Sequence, residues 1–545
     1  MSETPFAITL GVGSSLANKT GSWRVERPVY VDRLPPCNNA CPASENIQGW
    51  LYRAEEGDYE GAWRVIMETN PLPAIMGRAC FHPCEMACNR VQIDEAVGIN
   101  AVERFLGDRA IEEGWRVDVS AASSGRRVLV VGSGPAGLSA AYHLRLKGHE
   151  VEIHERAPLA GGMLRYGIPM YRLPRAVVDA EIARIVDMGV TIHTSSSVDD
   201  LSDTMAEGHF DAVFVGIGAQ RGKNPEIPSG DAAKVLDAVS MLHDFEEGEG
   251  PVLGRRVVVY GGGDTAMDAA RTARRLGATE TIVVYRRTRE RMPAHDEEVL
   301  DAQAEGVTMR WLSTVTRADG GRLMLEKMAL DDQGVAVGTG DFEELEADSL
   351  VLALGQDTDV SLLAHVENVD TPRGVISVNY NQMTGHSGVF AGGDAASSPT
   401  GERTVTAAVG HGARAAAAID AWFAGGVLDP LVPRPLASTE RLNPWYYADA
   451  PRTMRPRLEA ARRRSNFDEV VGGLTIDDAL FEARRCMSCG NCFECDNCFG
   501  VCPDNAVIKL GPGLRYEFNL DYCKGCGICA SECPCGAIDM VPEHR

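Results

Sequence analysis

The cysteines near the end of the chain have the type and spacing of iron–sulfur ligands. Eleven of the sixteen cysteines lie in the last sixty residues. Two runs there share the spacing C-x2-C-x2-C-x3-C-P, which is typical of paired [4Fe-4S] clusters in which the fourth cysteine of each run binds the other run's cluster. The eight predicted ligands are Cys492, Cys495, Cys498 and Cys502 in the first run, and Cys523, Cys526, Cys529 and Cys533 in the second.

Two other uses of these cysteines are disfavoured. The opening residues MSETPFAITL have no features of a secretory signal, so we do not expect disulfides. A zinc site uses four ligands in two pairs, whereas here eight cysteines form two tandem runs of four. Cys486, Cys489 and Cys535 lie outside these runs, and we expect them to pack as thiols beside a cluster rather than to bind a third one.

The elements that position these cysteines belong to a large chain. Its 545 residues suggest three or four domains, and its 57 glycines suit glycine-rich α/β folds. The net charge of −24 argues against binding to nucleic acid or to an anionic membrane surface, and serves solubility. No apolar stretch is long enough to span a membrane, so we expect a cytoplasmic protein.

A first dinucleotide fingerprint follows an apolar strand that begins at Arg127. It reads Gly132-Ser-Gly134-Pro-Ala-Gly137, and Glu155 ends the next strand, 23 residues after Gly132. The glycines permit a tight turn and a close approach of backbone to pyrophosphate, the following helix directs its N-terminus at the phosphates, and the acid binds ribose hydroxyls. Strand, helix and terminal acid together make this a specific signal.

A second fingerprint follows the strand that begins at Arg256. It has Gly261 and Gly263, with Ala266 in place of the third glycine, a replacement that the pattern allows. The next strand ends in Arg286 and Arg287, where an NAD site would have an acid. Arginine at this point can pair with a 2′-phosphate, which favours NADP over NAD. NAD, with two surface arginines at a strand end, stays open as the alternative.

Two fingerprints with different terminal residues suit two different nucleotides. Iron–sulfur clusters take one electron at a time, whereas a nicotinamide delivers a hydride. A flavin converts one into the other. We therefore predict FAD at the Glu155 site and a pyridine nucleotide at the Arg286 site. Neither fingerprint has a C-x-x-C or C-x4-C pair beside it, so the flavin is expected to take the hydride itself, without a protein acid or base.

At these residues the chain resembles the small (β) subunit of glutamate synthase and its relatives. These include the large subunit of ferredoxin:NADP transhydrogenase and the N-terminal half of dihydropyrimidine dehydrogenase. The resemblance covers roughly residues 35 to 425 and rests on GGMLRYGIP from Gly161, YGGGDTAMD from Tyr260, with aspartate for the family's asparagine, and GVFAGGD from Gly388. It implies nucleotide contacts by Gly162, Met163, Gly393, Asp394 and Thr404 on the flavin side, and by Asp264 and Thr265 on the other.

The resemblance also implies the order of the domains within an α/β fold. Residues 1–125 would form a helical iron–sulfur domain, and residues 126–222 with 355–425 an FAD-binding domain. The NAD(P)-binding domain, residues 223–354, would be inserted in the FAD domain. A linker and helix over 426–485 would lead to a ferredoxin-like α+β domain with two [4Fe-4S] clusters over 486–545.

The N-terminal cysteines depart from the family pattern. The family has two complete cysteine runs here, whereas this chain has only Cys37, Cys41, Cys80, Cys84 and Cys88. The resemblance implies one [4Fe-4S] cluster, held by Cys41, Cys80, Cys84 and Glu103, which would leave Cys37 and Cys88 over. A four-cysteine site that includes Cys37 or Cys88 is the competing assignment, and a third possibility is that this region holds no cluster.

These features predict an electron-transfer iron–sulfur flavoprotein that works between NAD(P)H and a partner redox enzyme or ferredoxin. The C-terminal module also resembles the ferredoxin-like δ subunit of 2-oxoacid:ferredoxin oxidoreductases, so we expect the NAD(P)-reactive subunit of a hetero-oligomeric complex of that kind. Three alternatives stay open. They are a glutamate synthase β subunit, the NADH-dependent partner of dissimilatory sulfite reductase, and a non-catalytic electron-wiring module.

Overall fold

Two parallel five-stranded sheets form the centre of the molecule. The computed structural model describes residues 19–223, 227–228, 234–397, 401, 403–430 and 432–543. A helical region precedes the first sheet. The chain returns to this sheet after forming the second one, and a small C-terminal region rich in turns then follows. The predicted α/β fold class is confirmed. No helix of the described residues combines the length and the apolar character needed to cross a membrane.

The N-terminal region consists of short helices whose ends carry the cysteines. Asn46 and Asp58 cap two helices by accepting hydrogen bonds from the backbone N–H of Gly49 and Gly61, and three others begin with proline at their first turn. The elements are strand β1 (Glu26–Tyr30) and helices α1 (Pro36–Ala40), α2 (Ile47–Glu55), α3 (Tyr59–Met67), α4 (Pro73–Ala79), α5 (Pro83–Met86) and α6 (Ile99–Glu113).

The first parallel sheet begins with the strand that carries the first fingerprint. Its residues are almost fully buried, as expected for a strand covered on both faces. The elements are β2 (Arg127–Val131), α7 (Pro135–Leu146), β3 (Glu150–His154), α8 (Met163–Tyr166), α9 (Arg175–Asp187), β4 (Thr191–His193), α10 (Leu201–Glu207), β5 (Ala212–Val215) and β6 (Arg221–Gly222).

The second sheet has the strand order β10-β9-β8-β14-β7, and all its pairs are parallel. A three-stranded antiparallel sheet, β11-β12-β13, lies between β10 and β14 in the chain. The elements are β7 (Lys234–Asp237), α11 (Ala238–Glu246), β8 (Arg256–Gly261), α12 (Asp264–Arg275), β9 (Glu280–Val284), α13 (Asp296–Ala304), β10 (Thr308–Arg310), β11 (Ser313–Asp319), β12 (Arg322–Leu330), β13 (Ala336–Glu346) and β14 (Ser349–Ala353).

The chain then returns to the first sheet through β15 (Gln356–Asp357), β16 (Val389–Ala391) and α14 (Val405–Phe423). Strand β16 completes the parallel order β16-β5-β2-β3-β4. Strands β6 and β15 pair antiparallel where the chain leaves and re-enters this part of the molecule. The second dinucleotide domain is therefore inserted in the first, as predicted.

The C-terminal region is tied to the start of the chain. Strand β19 pairs antiparallel with β1, so a segment from the N-terminal region supplies a strand to the ferredoxin-like module. Residues 448–455 lie against the helical region, where Arg452 forms an ion pair of 2.6 Å with Glu85. The elements are α15 (Ala460–Arg463), α16 (Ile476–Arg484), α17 (Asn497–Gly500), β17 (Val507–Lys509), β18 (Tyr516–Phe518), α18 (Ile528–Ser531) and β19 (Ile538–Pro542).

Candidate functional site

The three glycines of the first fingerprint have different surroundings. A Cβ atom on Gly137 would lie 1.9 Å from the carbonyl oxygen of Gly132, so Gly137 permits α7 to pack against the turn after β2. Gly132 has a φ of +97°, which favours glycine. A Cβ atom on Gly134 would meet nothing within 4 Å, and Gly134 lines a cleft at the end of β2. This space suits a pyrophosphate at the helix N-terminus.

Glu155 follows β3 and lines the same cleft. Its carboxylate is buried and accepts hydrogen bonds from the backbone N–H of Ser133 at 2.9 Å and from the Ser133 hydroxyl at 2.6 Å. The backbone N–H of Ala157 donates to its other oxygen at 2.8 Å. The carboxylate is therefore held at the edge where ribose hydroxyls would bind.

The residues predicted for the flavin side line the cleft from its other walls. They are Gly162, Met163, Gly393, Asp394 and Thr404. Burial raises the pKa of Asp394, and the Arg403 guanidinium counteracts that rise. Thr404 caps α14 by accepting a hydrogen bond from the backbone N–H of Ala407 at 3.2 Å. The positive end of the α14 dipole thus faces the cleft, which suits a ring that gains negative charge on reduction.

The second fingerprint forms a separate cleft at the end of β8. A Cβ atom on Gly263 would meet nothing within 4 Å, whereas one on Gly261 would lie 2.1 Å from the Ala353 carbonyl oxygen. Ala266 lies on α12, is fully buried and does not line the cleft, in keeping with a packing role. Thr265 lines it. Asp264 lines the first cleft, and it accepts hydrogen bonds of 3.0 Å from the backbone N–H and the Nδ1 of His295.

Arg286 and Arg287 follow β9 and line the second cleft. Within the described residues neither arginine forms a salt bridge, although most arginines of this acidic chain do. The Nε of Arg287 is buried without a hydrogen-bond partner. Two cations that no protein carboxylate neutralises fit an anionic ligand such as the 2′-phosphate of NADP.

The two clefts meet. Thr265, Gln356 and Arg403 line both of them, so a nucleotide in one would approach a nucleotide in the other. Ala79 and Phe81 also line the first cleft, and they flank Cys80 in the chain. None of the described cysteines lines this cleft.

The four residues predicted for the N-terminal cluster lie together. Cys41 directly follows α1, Cys80 directly follows α4, and Cys84 lies on α5. Burial raises the pKa of Cys80 to about 12, and the carboxylate of Glu103 adds to the rise. Glu103 also raises the pKa of Cys41 and of Cys84. For both thiols burial is the largest cause, and other acidic or thiol groups contribute more than Glu103 does. These acidic groups raise one another's pKa, and a cationic iron cluster between them would favour their ionised forms.

Glu103 itself is buried on α6 and accepts a hydrogen bond of 2.8 Å from the Asn70 amide. Burial raises its pKa well above the ordinary value, and Glu45 adds to the rise. The same Asn70 amide also donates to Glu45 at 2.9 Å. A carboxyl group kept beside three thiols and away from water can serve as a fourth ligand, since iron accepts carboxylate oxygen.

The cysteines of the ferredoxin-like module fall into two sets. Cys502 shares one cavity with Cys523, Cys526 and Cys529. Cys533 raises the pKa of Cys492, Cys495 and Cys498, although burial is the larger cause for each. The fourth cysteine of each run thus lies with the first three of the other run. Cys495 and Cys526 are exposed, so each set reaches the surface.

The remaining cysteines lie in two places. Cys535 packs beside the ferredoxin ligands, with its sulfur 3.7 Å from that of Cys533. Cys486 and Cys489 instead line a cavity with Cys37 and Cys88. Sequence reasoning missed this group, because the two pairs are about 400 residues apart. The C-x-x-C spacing of Cys486 and Cys489 is the one local pattern that could have indicated a metal site here.

Comparisons with known proteins find matches for three parts of the chain. Residues 126–412 match the family model described as pyridine nucleotide-disulphide oxidoreductase. Residues 27–115 match dihydropyrimidine dehydrogenase domain II, 4Fe-4S cluster, and residues 516–539 match a 4Fe-4S binding domain. The first of these matches covers more than half of the chain, and the other two lie on either side of it.

Curated relatives extend over most of the chain. The NADP(+)-dependent formate dehydrogenase subunit beta of Moorella thermoacetica is 36% identical over 501 residues, 83% of this chain and 70% of that one. The NADPH-Fe(3+) oxidoreductase subunit beta of Geobacter sulfurreducens is 31% identical, covering 85% and 77%. The glutamate synthase [NADPH] small chain of Azospirillum brasilense is 34% identical, covering 66% and 81%. This chain belongs to the pyridine nucleotide-disulphide oxidoreductase family, as an oxidoreductase whose FAD- and NAD(P)-binding region lies between 4Fe-4S domains.

Proposed function

We propose that this chain is the NAD(P)-reactive subunit of a cytoplasmic redox complex. It would exchange electrons between NAD(P)H and a partner redox subunit or ferredoxin. The observation that carries the proposal is the meeting of three sites at the first cleft. This cleft shares Thr265, Gln356 and Arg403 with the second cleft, and Ala79 and Phe81 beside Cys80 also line it.

Bound FAD supplies the conversion between hydride transfer and single-electron transfer. The protein's own residues would bind and orient the two nucleotides. Gly134 and Gly263 leave room for the two pyrophosphates, and Glu155 offers a carboxylate to a ribose. Arg286 and Arg287, which form no salt bridge with another described residue, favour NADPH as the reductant. The names of the similar formate dehydrogenase and NADPH-Fe(3+) subunits refer to NADP(H), and they support the same preference.

Three cluster sites would receive the electrons. At the flavin side the ligands would be Cys41, Cys80, Cys84 and Glu103. In the ferredoxin-like module they would be Cys492, Cys495, Cys498 and Cys533 for one cluster, and Cys502, Cys523, Cys526 and Cys529 for the other. The exposed Cys495 and Cys526 make this module the natural docking surface for a partner, since electrons can leave where a cluster reaches the surface.

The experiment is an anaerobic titration of the purified full chain with NADPH and, separately, with NADH. We expect NADPH to bleach the flavin absorbance and then the broader iron–sulfur absorbance. If neither nucleotide bleaches the flavin, the chain is not an NAD(P)H oxidoreductase. If the flavin bleaches but the cluster absorbance does not change even with excess nucleotide, electrons do not pass to the clusters. Affinity capture from native cells, followed by mass spectrometry, then identifies the partner subunit.

A further inference from the structure

Four cysteines that the three cluster sites do not use converge from distant parts of the chain. Cys37 lies on α1 and Cys88 just after α5, whereas Cys486 and Cys489 follow α16. All four line one cavity, together with the apolar side chains of Leu51, Val97 and Ile99 among others. We propose that these four thiolates hold a further [4Fe-4S] cluster, which joins the flavin-side site to the ferredoxin-like module. This proposal does not depend on turnover of a nucleotide.

The size of the cavity supports this assignment. The space at this site that protein atoms do not fill, including space open to solvent, measures about 370 Å³. The cavity lined by Cys502, Cys523, Cys526 and Cys529, whose spacing is typical of a [4Fe-4S] cluster, has about 350 Å³ by the same measure. The two spaces are therefore alike, and the structure offers the second as an internal reference for the first.

The distances between the sulfurs argue against a single metal ion. Four thiolates around one zinc ion, each about 2.3 Å from it, would have their sulfurs about 3.8 Å apart. Among the described cysteines no three sulfur atoms lie within 4.8 Å of one another. A cubane cluster binds each thiolate through a different iron atom, so its ligands stand further apart than those of one ion.

The surroundings of the cavity suit an iron–sulfur cluster. No carboxylate or imidazole is among its described lining residues, so the thiols are its metal ligands. Arg90 also lines the cavity, but its guanidinium is already bound to Asp94 and to the carbonyl oxygens of Arg485 and Ala448. The apolar wall formed by Leu51, Val97 and Ile99 would keep water from the cluster, which is one means by which proteins set its potential.

The chain itself connects this site to both neighbours. Cys37 and Cys84 are each four residues from a cysteine of the other N-terminal site, namely Cys41 and Cys88, so their Cα atoms are at most about 14 Å apart. Cys489 precedes the ferredoxin ligand Cys492 by three residues, a span of at most about 11 Å. The cluster would thus lie between the flavin-side cluster and the module, and would pass single electrons from one to the other.

The test is the metal content of the full chain, produced with an ample iron supply and purified anaerobically. Four clusters predict about 16 irons per chain, whereas three predict about 12. Two double variants address the site from opposite ends of the sequence. We expect Cys37→Ala with Cys88→Ala, and Cys486→Ala with Cys489→Ala, each to lose about four irons and to keep the flavin. The quadruple variant should lose the same four irons rather than eight, because both pairs serve one cluster.

Cys535→Ala is the matched control, because this buried cysteine lies in the same region and is not assigned to any cluster. It should keep the full iron content. Quantified electron paramagnetic resonance of the dithionite-reduced protein should lose the signal of one cluster in both double variants. Unchanged iron in either double variant, or additive loss in the quadruple variant, would overturn the proposal. So would one zinc per chain that both double variants lose. If a double variant also loses flavin, the single variants Cys37→Ala and Cys489→Ala replace it, and an unchanged resonance signal in both contradicts the site.

Discussion

The hydroxyl of Thr406 donates a hydrogen bond of 3.0 Å to the sulfur of Cys80. Thr406 lies on the first turn of α14, whose N-terminus borders the first cleft, and the neighbours of Cys80 line that cleft. One hydrogen bond therefore links the helix that faces the flavin site to a proposed cluster ligand. A cluster held by Cys80 would lie directly behind the wall of the cleft, which favours rapid transfer between the two.

We expect Thr406→Val to lower the reduction potential of the flavin-side cluster. A hydrogen bond to a ligand sulfur stabilises the reduced, more negative state, and hydrogen bonds of this kind are known to tune cluster potentials. A loss of about 0.5 to 1 kcal/mol corresponds to roughly 20 to 40 mV for one electron. Redox titration followed by electron paramagnetic resonance measures the change. Thr406→Ser keeps the hydroxyl and should leave the potential near its original value, so an equal shift in both variants contradicts the role.

The two open glycine positions allow a crossed experiment. Gly134→Ala should reduce the FAD content of the purified protein at least about tenfold, because the added methyl group occupies the space left for pyrophosphate. Gly263→Ala should keep FAD but raise the Michaelis constant for NADPH to a similar degree. Neither methyl group meets protein atoms within 4 Å, so both variants should fold. If only Gly263→Ala loses FAD, the assignment of the two nucleotides to the two clefts must be reversed.

The choice between NADPH and NADH tests Arg286 and Arg287. Alanine at both positions should raise the Michaelis constant for NADPH roughly 10- to 100-fold, since a hydrogen bond to a charged group contributes about 1.5 to 3 kcal/mol. The constant for NADH should change little, because NADH has no 2′-phosphate. Steady-state rates with an artificial electron acceptor measure both. Equal effects on the two nucleotides would show that the arginines do not bind the phosphate.

Glu103 can be separated from its neighbour Glu45 by substitution. If Glu103 binds iron, Glu103→Ala should lose most of the flavin-side cluster, about four irons per chain, whereas Glu103→Cys should keep the iron and change the potential. Glu45 shares the Asn70 amide with Glu103 and is equally buried, so Glu45→Gln is the matched control and should keep all the iron. Iron loss only in the Glu45 variant would move the ligand to that residue.

His143 should make the protein less stable in acid. Burial lowers the pKa of this histidine on α7 from 6.5 to about 4. Below pH 6.5 the unfolded chain binds a proton that the folded chain does not, so stability is lost as the pH falls toward 4. The loss amounts to about 2 kcal/mol at pH 5. We expect the thermal unfolding midpoint to fall less between pH 7.5 and pH 5 in His143→Gln than in the original protein. An identical fall would refute the linkage.

Local patterns predicted much of this architecture. Each fingerprint needs only a strand, a turn and a helix in sequence, so Gly134 and Gly263 could be assigned to their clefts from spacing alone. The register of the C-terminal cysteines was likewise local, because the cysteine before Pro503 fixes it. The resemblance to known relatives supplied the insertion of one domain in the other, which no local pattern records.

Long-range contacts were beyond reach of the sequence. The grouping of Cys37 with Cys486 depends on how α1 and α16 both pack against α2, and no spacing between them encodes that contact. The pairing of β1 with β19 is hidden for the same reason, since both strands are short and Glu26–Tyr30 has no partner nearby in the chain. Thr406 could be recognised only as a helix residue until its hydroxyl was seen beside Cys80.

The pairing of β1 with β19 gives the chain the topology of a closed ring. The backbone runs out through the helices and both nucleotide domains and returns to lie beside its own first strand. The ferredoxin-like module is consequently not an appendage that a cut before Cys486 would release intact. Such a cut would leave the strand Glu26–Tyr30 without its partner strand, and the module would lose one of its strands. To produce the module alone, one would have to join the segment that contains β1 to the C-terminal segment that contains β19, as circular permutation does.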